Sequence, residues 1–143
     1  PLGKLTMVNC ASPHYLTRFG YPQSPDDLTS HAIVRYTPHL GVHPLGFEVA
    51  SVNGVQWFKS GGMLTVNSSE NYLAAGLAGL GIIQIPRIAV REALRAGRLI
   101  EVLPGYRAEP LSLLLIYPQR RELSRRVNLF MQWLAGVMKE HLD

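Results

Sequence analysis

Cysteine occurs once in this chain of 143 residues, at Cys10, so no disulfide can form within it and packing alone must hold the core. That count fits a reducing compartment, and equally a secreted protein without bridges. Charge is also sparse, with Asp, Glu, Lys and Arg at 17% and aromatic residues at 8%. The longest uncharged run, Asn71 to Pro86, is interrupted by Gly76, Gly79, Gly81 and Gln84. It falls short of the ~20 apolar residues of a membrane span, so a soluble chain is expected. The opening "PLGKLTMVNCASP" has one Lys and no long apolar run, unlike a signal peptide. The first residue is Pro1 rather than Met, and the chain is expected to be a piece of a longer protein.

What is present is a globular composition: 47% apolar residues, enough for about one domain that buries roughly two thirds of its unfolded surface. Fourteen Lys and Arg against ten Asp and Glu give a net charge of +4, which permits an anionic partner without requiring one.

Leu5 to Cys10 alternates apolar and polar residues as a strand does, and Ser12-Pro13 opens a helical turn ending near Gly20. In "SPDDL", Ser24 suits an N-cap and Pro25 the first helical position, with Asp26 and Asp27 in the first turn, where the helix dipole favours anions. No other acidic residue lies close by in sequence, so the pair is read as capping rather than as catalytic carboxylates. "HAIVRY" is a β-branched strand. Two or three strands follow over "FEVASVNGVQWFKSGGMLTVNS", with Asn53-Gly54 and Gly61-Gly62 as turn signals. From Ser69 the period becomes helical. "GIIQIP" is then a short buried strand, and a helix from about Arg87 to Ala96 ends at Gly97. "RLIEVLP" and "LSLLLIYP" are strands, the second apolar enough to be covered on both faces. Ser124 starts the last helix. This alternation points to α/β architecture with parallel pairing.

No enzyme signature is found. "GLAGLG" reverses the order of a dinucleotide fingerprint and sits at a helix C-terminus, where the dipole repels phosphate. Gly76 and Gly79 are read as close-packing positions and Gly81 as the left-handed turn into the next strand. His39 and His43 have the four-residue spacing of a zincin pair, but Gly41 and Pro44 oppose the helix that would align them, and no metal or other cofactor is expected. G-x-S-x-G and S-x-x-K are absent, and Cys10 has no His or charged residue within three positions. Arg87, Arg91, Arg95 and Arg98, like Arg120, Arg121, Arg125 and Arg126, are read as solvated faces. "VNSSE" is the most informative polar stretch. Asn67, Ser68 and Ser69 stand where a strand gives way to a helix, and taken alone they fit either simple N-capping or contact with a polar ligand, with capping the simpler account.

Four segments in register, "CASPHYLTRFGYPQSPDDLTSHAIVRY", "LTVNSSENYLAAGLAGLGIIQIP", "LRAGRLIEVLPGY" and "LSLLLIYPQRRELSRRVNLFMQWL", together resemble the C-terminal regulatory region of LysR-type transcriptional regulators. The resemblance covers nearly the whole chain. It implies a type II periplasmic-binding-protein-like α/β fold, here one complete lobe (the second) plus the C-terminal strand and helix of the first. Residues 1–10 would be a crossover strand, 11–110 the second lobe, and 111–143 the return strand and last helix. A small-molecule effector would bind between lobes, against Cys10, Tyr36, Thr37, Asn67, Ser68 and Ser69. On this resemblance "VNSSE" turns from capping alone toward ligand contact. The implied protein is bacterial, cytoplasmic and homo-oligomeric, a dimer or tetramer. It touches DNA only through a winged helix-turn-helix that lies upstream in the family, and it is not an enzyme. A lobe of a transporter-associated solute-binding protein is the rival reading, and a small α/β enzyme a more distant one.

Overall fold

The computed structural model describes residues 1–39, 41, 46–116 and 124–142. The chain divides into two compact units, Pro1–Thr6 with Pro110–Asp143, and Met7–Glu109.

The larger unit is built on β2 (Met7–Ala11), β3 (Ala32–Tyr36), β4 (Phe47–Ser51), β5 (Gly54–Phe58), β6 (Gly61–Val66), β7 (Ile83–Pro86) and β8 (Ile100–Glu101), with helices α1 (Pro13–Phe19), α2 (Ser69–Leu77) and α3 (Arg87–Arg95) and a 3-10 turn over Pro25–Ser30. β2 is the centre of a three-stranded sheet, antiparallel to both β7 and β8. β3 pairs parallel with β6. Val34 N–H donates to the Ile82 carbonyl at 3.1 Å and Ile82 N–H to the Ala32 carbonyl at 2.9 Å, which joins the β3–β6 pair to the start of β7. The expected parallel pairing therefore holds for β3 and β6, while the central strand runs against both neighbours. The reason lies in the connections. β6, β7 and β8 are joined through α2 and α3 by strand–helix–strand crossovers, which keep successive strands parallel, so β2, lying between β7 and β8, is the strand that runs against its neighbours.

Side chains alternate across this sheet. Val8, Cys10, Val34, Ile83 and Ile85 pack with Tyr72 and Ala75 of α2 and Val90 and Ala93 of α3. Ala11, Ile33 and Ile82 pack with Tyr15 and Leu16 of α1 and Phe47 and Val49 of β4. Helix ends follow local chemistry. The Ser12 hydroxyl accepts from Tyr15 N–H at 3.2 Å ahead of Pro13. Asp27 caps the 3-10 turn, its carboxylate accepting from the N–H groups of Gln23 at 2.8 Å and Ser24 at 3.0 Å; those two bonds, the Gln23 one foremost, hold its carboxyl below the ordinary range.

α2 and α3 terminate identically. Gly97 (φ +67°) donates to Leu94 O at 3.1 Å and Arg98 to Ala93 O at 2.8 Å; Gly79 (φ +77°) donates to Gly76 O at 3.1 Å and Leu80 to Ala75 O at 3.0 Å. These paired bonds satisfy the last carbonyls of each helix and require a left-handed residue. Gly97 is where the sequence placed it. In α2 the left-handed residue is Gly79 rather than Gly81. Gly81 is nearly extended (φ +157°), and what excludes a side chain there is the Ala32 carbonyl, 2.5 Å from where a Cβ would sit. Gly54 likewise begins β5, so the hairpin turn is Val52-Asn53. Gly61 and Gly62 lie inside β6 rather than in a turn.

In the smaller unit, β1 (Gly3–Leu5) pairs antiparallel with β9 (Leu111–Leu113), and α4 spans Arg125–Met138 behind Ser124, whose hydroxyl accepts from Val127 N–H at 3.4 Å. The expected strand Leu5–Cys10 is thus two strands, β1 and β2, in different sheets. "LSLLLIYP" is strand only to Leu113, and Leu111, Leu114 and Ile116 are exposed rather than covered on both faces. With a three-residue partner on one edge, β9 has too little sheet beside it to bury them. Tyr117, Pro118 and the Arg120-Arg121 pair lie outside the described residues, as do His43 and Pro44.

Candidate functional site

Parallel pairing of β3 and β6 brings their C-terminal ends level. Tyr36 is opposite Val66, and Thr37 N–H donates to the Val66 carbonyl at 3.0 Å. The next residues after Val66 are Asn67 and Ser68, and α2 begins at Ser69. Tyr36, Thr37, Asn67, Ser68 and Ser69 therefore converge where two parallel strands end and a helix begins, the position at which open α/β sheets hold ligands.

The hydroxyls of Thr37 and Ser68 are hydrogen-bonded within the chain. The Thr37 hydroxyl donates to the His39 carbonyl at 2.8 Å, and Thr37 is buried. The Ser68 hydroxyl accepts from Asn71 N–H at 3.1 Å and donates to Glu70 Oε2 at 3.1 Å. Ser68 is therefore the N-cap that the sequence allowed, and Asn67 and Ser69 are exposed beside it. Glu70 is held ionised, its carboxyl lowered by a bond from its own backbone N–H and then by the hydroxyls of Ser68 and Ser69. Two helix N-terminal donors are thus used by the chain itself, those of Glu70 and Asn71, and a carboxylate lies in the first turn where the dipole favours it.

Beneath these groups is an aromatic pair. The half-exposed Tyr36 ring lies 5.7 Å from that of Tyr72 on α2. Tyr72 is buried, its hydroxyl accepts from Gln84 N–H at 2.8 Å, and burial pushes its pKa up to about 12.

Cys10 does not join the cluster. It lies on the central strand with its side chain fully buried in the α2–α3 core, and burial, followed by the nearby Glu101 charge, raises the thiol to about 12. Of the arginine series, Arg87 and Arg95 of α3 and Arg98 beyond its end are exposed and Arg91 is half-buried, and Arg95 meets Glu92 only at 3.9 Å with both side chains mostly in solvent.

Sequence reasoning missed Glu70, Tyr72, Asn9 and Gln84. Glu70 lies in the first turn of α2, where the helix dipole favours an acidic residue, and Tyr72 stands four residues after Ser68, so dipole chemistry could have found the first and α-helical spacing the second. Asn9 and Gln84 are polar residues inside apolar strand runs, and a buried amide needs partners. The Asn9 Oδ1 accepts from Gln84 Nε2 at 2.9 Å, while Asn9 Nδ2 donates to the carbonyls of Tyr106 at 2.9 Å and Leu103 at 3.3 Å.

Residues 1–139 match the profile of the LysR substrate binding domain. The chain belongs to this LysR family. It is 97% identical over 143 residues to the HTH-type transcriptional regulator YhjC of Escherichia coli strain K12, covering all of this chain and 48% of that protein. It is 35% identical over 127 residues to an HTH-type transcriptional regulator of Haemophilus influenzae, covering 89% of this chain and 43% of the relative. The chain thus spans about half the length of the curated relatives it matches. Among solved structures, CrgA, a LysR-type transcriptional regulator of Neisseria meningitidis, superposes with a TM-score of 0.73 at 23% identity, over 96% of this chain and 46% of that one. That likeness gives the fold, which is the type II periplasmic-binding-protein-like α/β fold of LysR regulatory domains. Among the described residues no helix is long and apolar enough to cross a membrane.

Proposed function

We propose that this chain is the effector-sensing half of a LysR-type transcriptional regulator, with unit Met7–Glu109 as the second lobe and Tyr36, Thr37, Asn67, Ser68 and Ser69 as effector contacts. One observation carries the reading: in a chain of this family, those five residues meet at the ends of β3 and β6 and the start of α2. Hydroxyl and amide groups offer both donors and acceptors, and Tyr36 over Tyr72 gives an apolar wall. A small organic molecule with polar groups at one end fits that chemistry. Cys10 supports β2 from within the core, and no contact from its buried thiol is needed.

Control of transcription is allosteric. The effector favours one arrangement by no more than its differential affinity for it, and a DNA-binding segment of the kind named in the relatives reads out the shift. The regulator acts in the cytoplasm as a homo-oligomer and carries out no catalysis. The family match favours this reading over a transporter-associated solute-binding lobe.

The test is a thermal-shift screen of the 143-residue chain against a panel of small organic acids, amino acids and sugars, repeated with Ser68→Ala and Thr37→Val. A compound that raises the midpoint of the parent and of neither variant supports the site. A compound that protects all three equally binds elsewhere and overturns it.

A further inference from the structure

The chain enters the larger unit through β2 and leaves it through the segment after β8, and beyond the β2–β8 pairing one buried side chain fastens the two paths together. Asn9 lies in the entering strand and is fully buried. Both protons of its amide go to the leaving segment, to the carbonyls of Leu103 and Tyr106. Its backbone carbonyl accepts from Val102 N–H at 2.9 Å. Its remaining oxygen is held by Gln84 Nε2, which also donates to the Glu48 carbonyl of β4 at 2.8 Å.

The leaving segment is shaped around that amide. Leu103 is buried and has φ +49°, the only positive φ at a non-glycine among the described residues, and it stands directly before Pro104. A bulky residue adopts that conformation only where its surroundings impose it. Tyr106 N–H closes the turn on the Leu103 carbonyl at 2.9 Å. The Arg107 Nε donates to Glu101 at 2.8 Å, the Arg107 carbonyl accepts from Ala50 N–H at 2.8 Å, and Glu109 N–H donates to the Glu48 carboxylate at 3.0 Å. From Glu101 to Glu109, the leaving chain is anchored to β2, to β4 and to itself.

We propose that the Asn9–Gln84 amide pair is a clamp that makes the entering strand β2 and the leaving segment Val102–Glu109 one cooperative base, so that within this unit neither opens without the other. The clamp does not depend on the effector-sensing reading. Thr37 and Ser68 are absent from this network, and its link to the proposed site is the backbone N–H of Gln84, which donates to the Tyr72 hydroxyl and is kept in side-chain variants of Asn9 and Gln84.

Hydrogen exchange of the full 143-residue chain, followed against low concentrations of denaturant, tests it. In the parent, the amides of Val102 and Tyr106 open with the same free energy as those of Val8 and Cys10, as members of one cooperative unit. In Asn9→Ala, the amides of Val102, Tyr106 and Glu109 exchange at least about tenfold faster than in the parent, while those of β2 and α3 keep their rates. Opening free energies that already differ in the parent overturn the clamp. So does uniform acceleration across the chain in the variant, which marks a merely structural loss. Should Asn9→Ala fail to fold, Gln84→Met, of similar length but without the amide, must split the two sets in the same direction, and identical behaviour to the parent refutes the proposal.

Discussion

The Tyr15 hydroxyl lies 3.0 Å from Nδ1 of His31, and the same oxygen accepts the Ala32 N–H at 2.9 Å. One phenol thereby ties α1 to the start of β3, with the Tyr15 ring stacked on Phe19 at 4.8 Å. Both residues are buried, and burial lowers the His31 pKa below its ordinary 6.5 against the smaller opposing pull of Asp27.

That burial has a defined pH signature. Below pH 6.5 the unfolded chain takes up a proton at His31 that the folded chain resists, so the unfolded state binds more protons and stability falls as pH falls through that range. Asp27 contributes in the same direction only at much lower pH, since its depressed carboxyl loses its stabilising bonds when protonated. We expect the thermal midpoint to drop between about pH 7.5 and about pH 5, and His31→Phe to flatten that part of the profile. A parent profile that is level over this interval, or a His31→Phe profile as steep as the parent's, contradicts the assignment.

The two glycines after α2 separate two physical costs. Gly79→Asn, which tolerates a left-handed backbone, should cost well under ~1 kcal/mol, and Gly79→Val at least ~1–2 kcal/mol. Gly81→Val should cost more than either, because its Cβ would meet the Ala32 carbonyl at 2.5 Å where β3 joins Ile82, and backbone cannot give way as a side chain tip can. At roughly 3–5 °C per kcal/mol for a chain of this size, thermal melts resolve the order. A Gly81→Val midpoint above that of Gly79→Val reverses the argument.

Cys10 should be inert while the protein is folded. Raising the thiol from 9.0 to about 12 cuts its thiolate fraction about a thousandfold near pH 8, before the lack of access is counted. Iodoacetamide labelling should therefore be slow in buffer and fast in denaturant, and rapid native labelling would show that β2 opens readily.

Much of the fold was legible because its signals are local. Ser12, Ser68 and Ser124 each cap the helix that the sequence assigned to it, and Gly97 ends α3 where a helical pattern gives way to Gly. The candidate site was legible in part for the same reason, since a strand-to-helix junction at "VNSSE" is a local event. Its juxtaposition with Tyr36 and Thr37 depends on parallel pairing across some thirty residues, and only the family resemblance supplied that. What stayed hidden is long-range. No local feature shows that β2 runs against both neighbours, that Cys10 faces the α2–α3 core, or that Gly81 rather than Gly79 meets the Ala32 carbonyl. Asn9 finds partners in Gln84, Leu103 and Tyr106, all more than seventy residues away. The apolar character of "LSLLLIYP" was read as burial, but burial also needs a covering layer, and composition cannot report whether one is there.

The last helix poses the same question in sharper form. α4 has no buried residue, and Val127, Leu129, Phe130, Trp133 and Val137 are all exposed, with the Phe130 and Trp133 rings 5.7 Å apart. Positions 130, 133, 134 and 137 recur at helical spacing, and of these Leu134, with Met138 beside them, is only half-buried. Burying one such side chain is worth roughly 1.5–3 kcal/mol, so five left in water supply several kcal/mol of drive toward any complementary apolar surface. A second copy of the chain offers the same stripe at equal concentration, and a twofold arrangement would bury both at once. We therefore expect the 143-residue chain to sediment as a dimer or larger assembly at tens of micromolar. Replacing Phe130 and Trp133 together by Gln should shift it toward the 15.9 kDa monomer and lower its thermal midpoint only by what assembly itself contributes, since neither side chain is buried in the isolated chain. A parent that sediments as a monomer would mean that α4 finds cover within its own chain. A variant that remains assembled would place the contact elsewhere, with the exposed Val55 and Trp57 of β5 the next surface to examine.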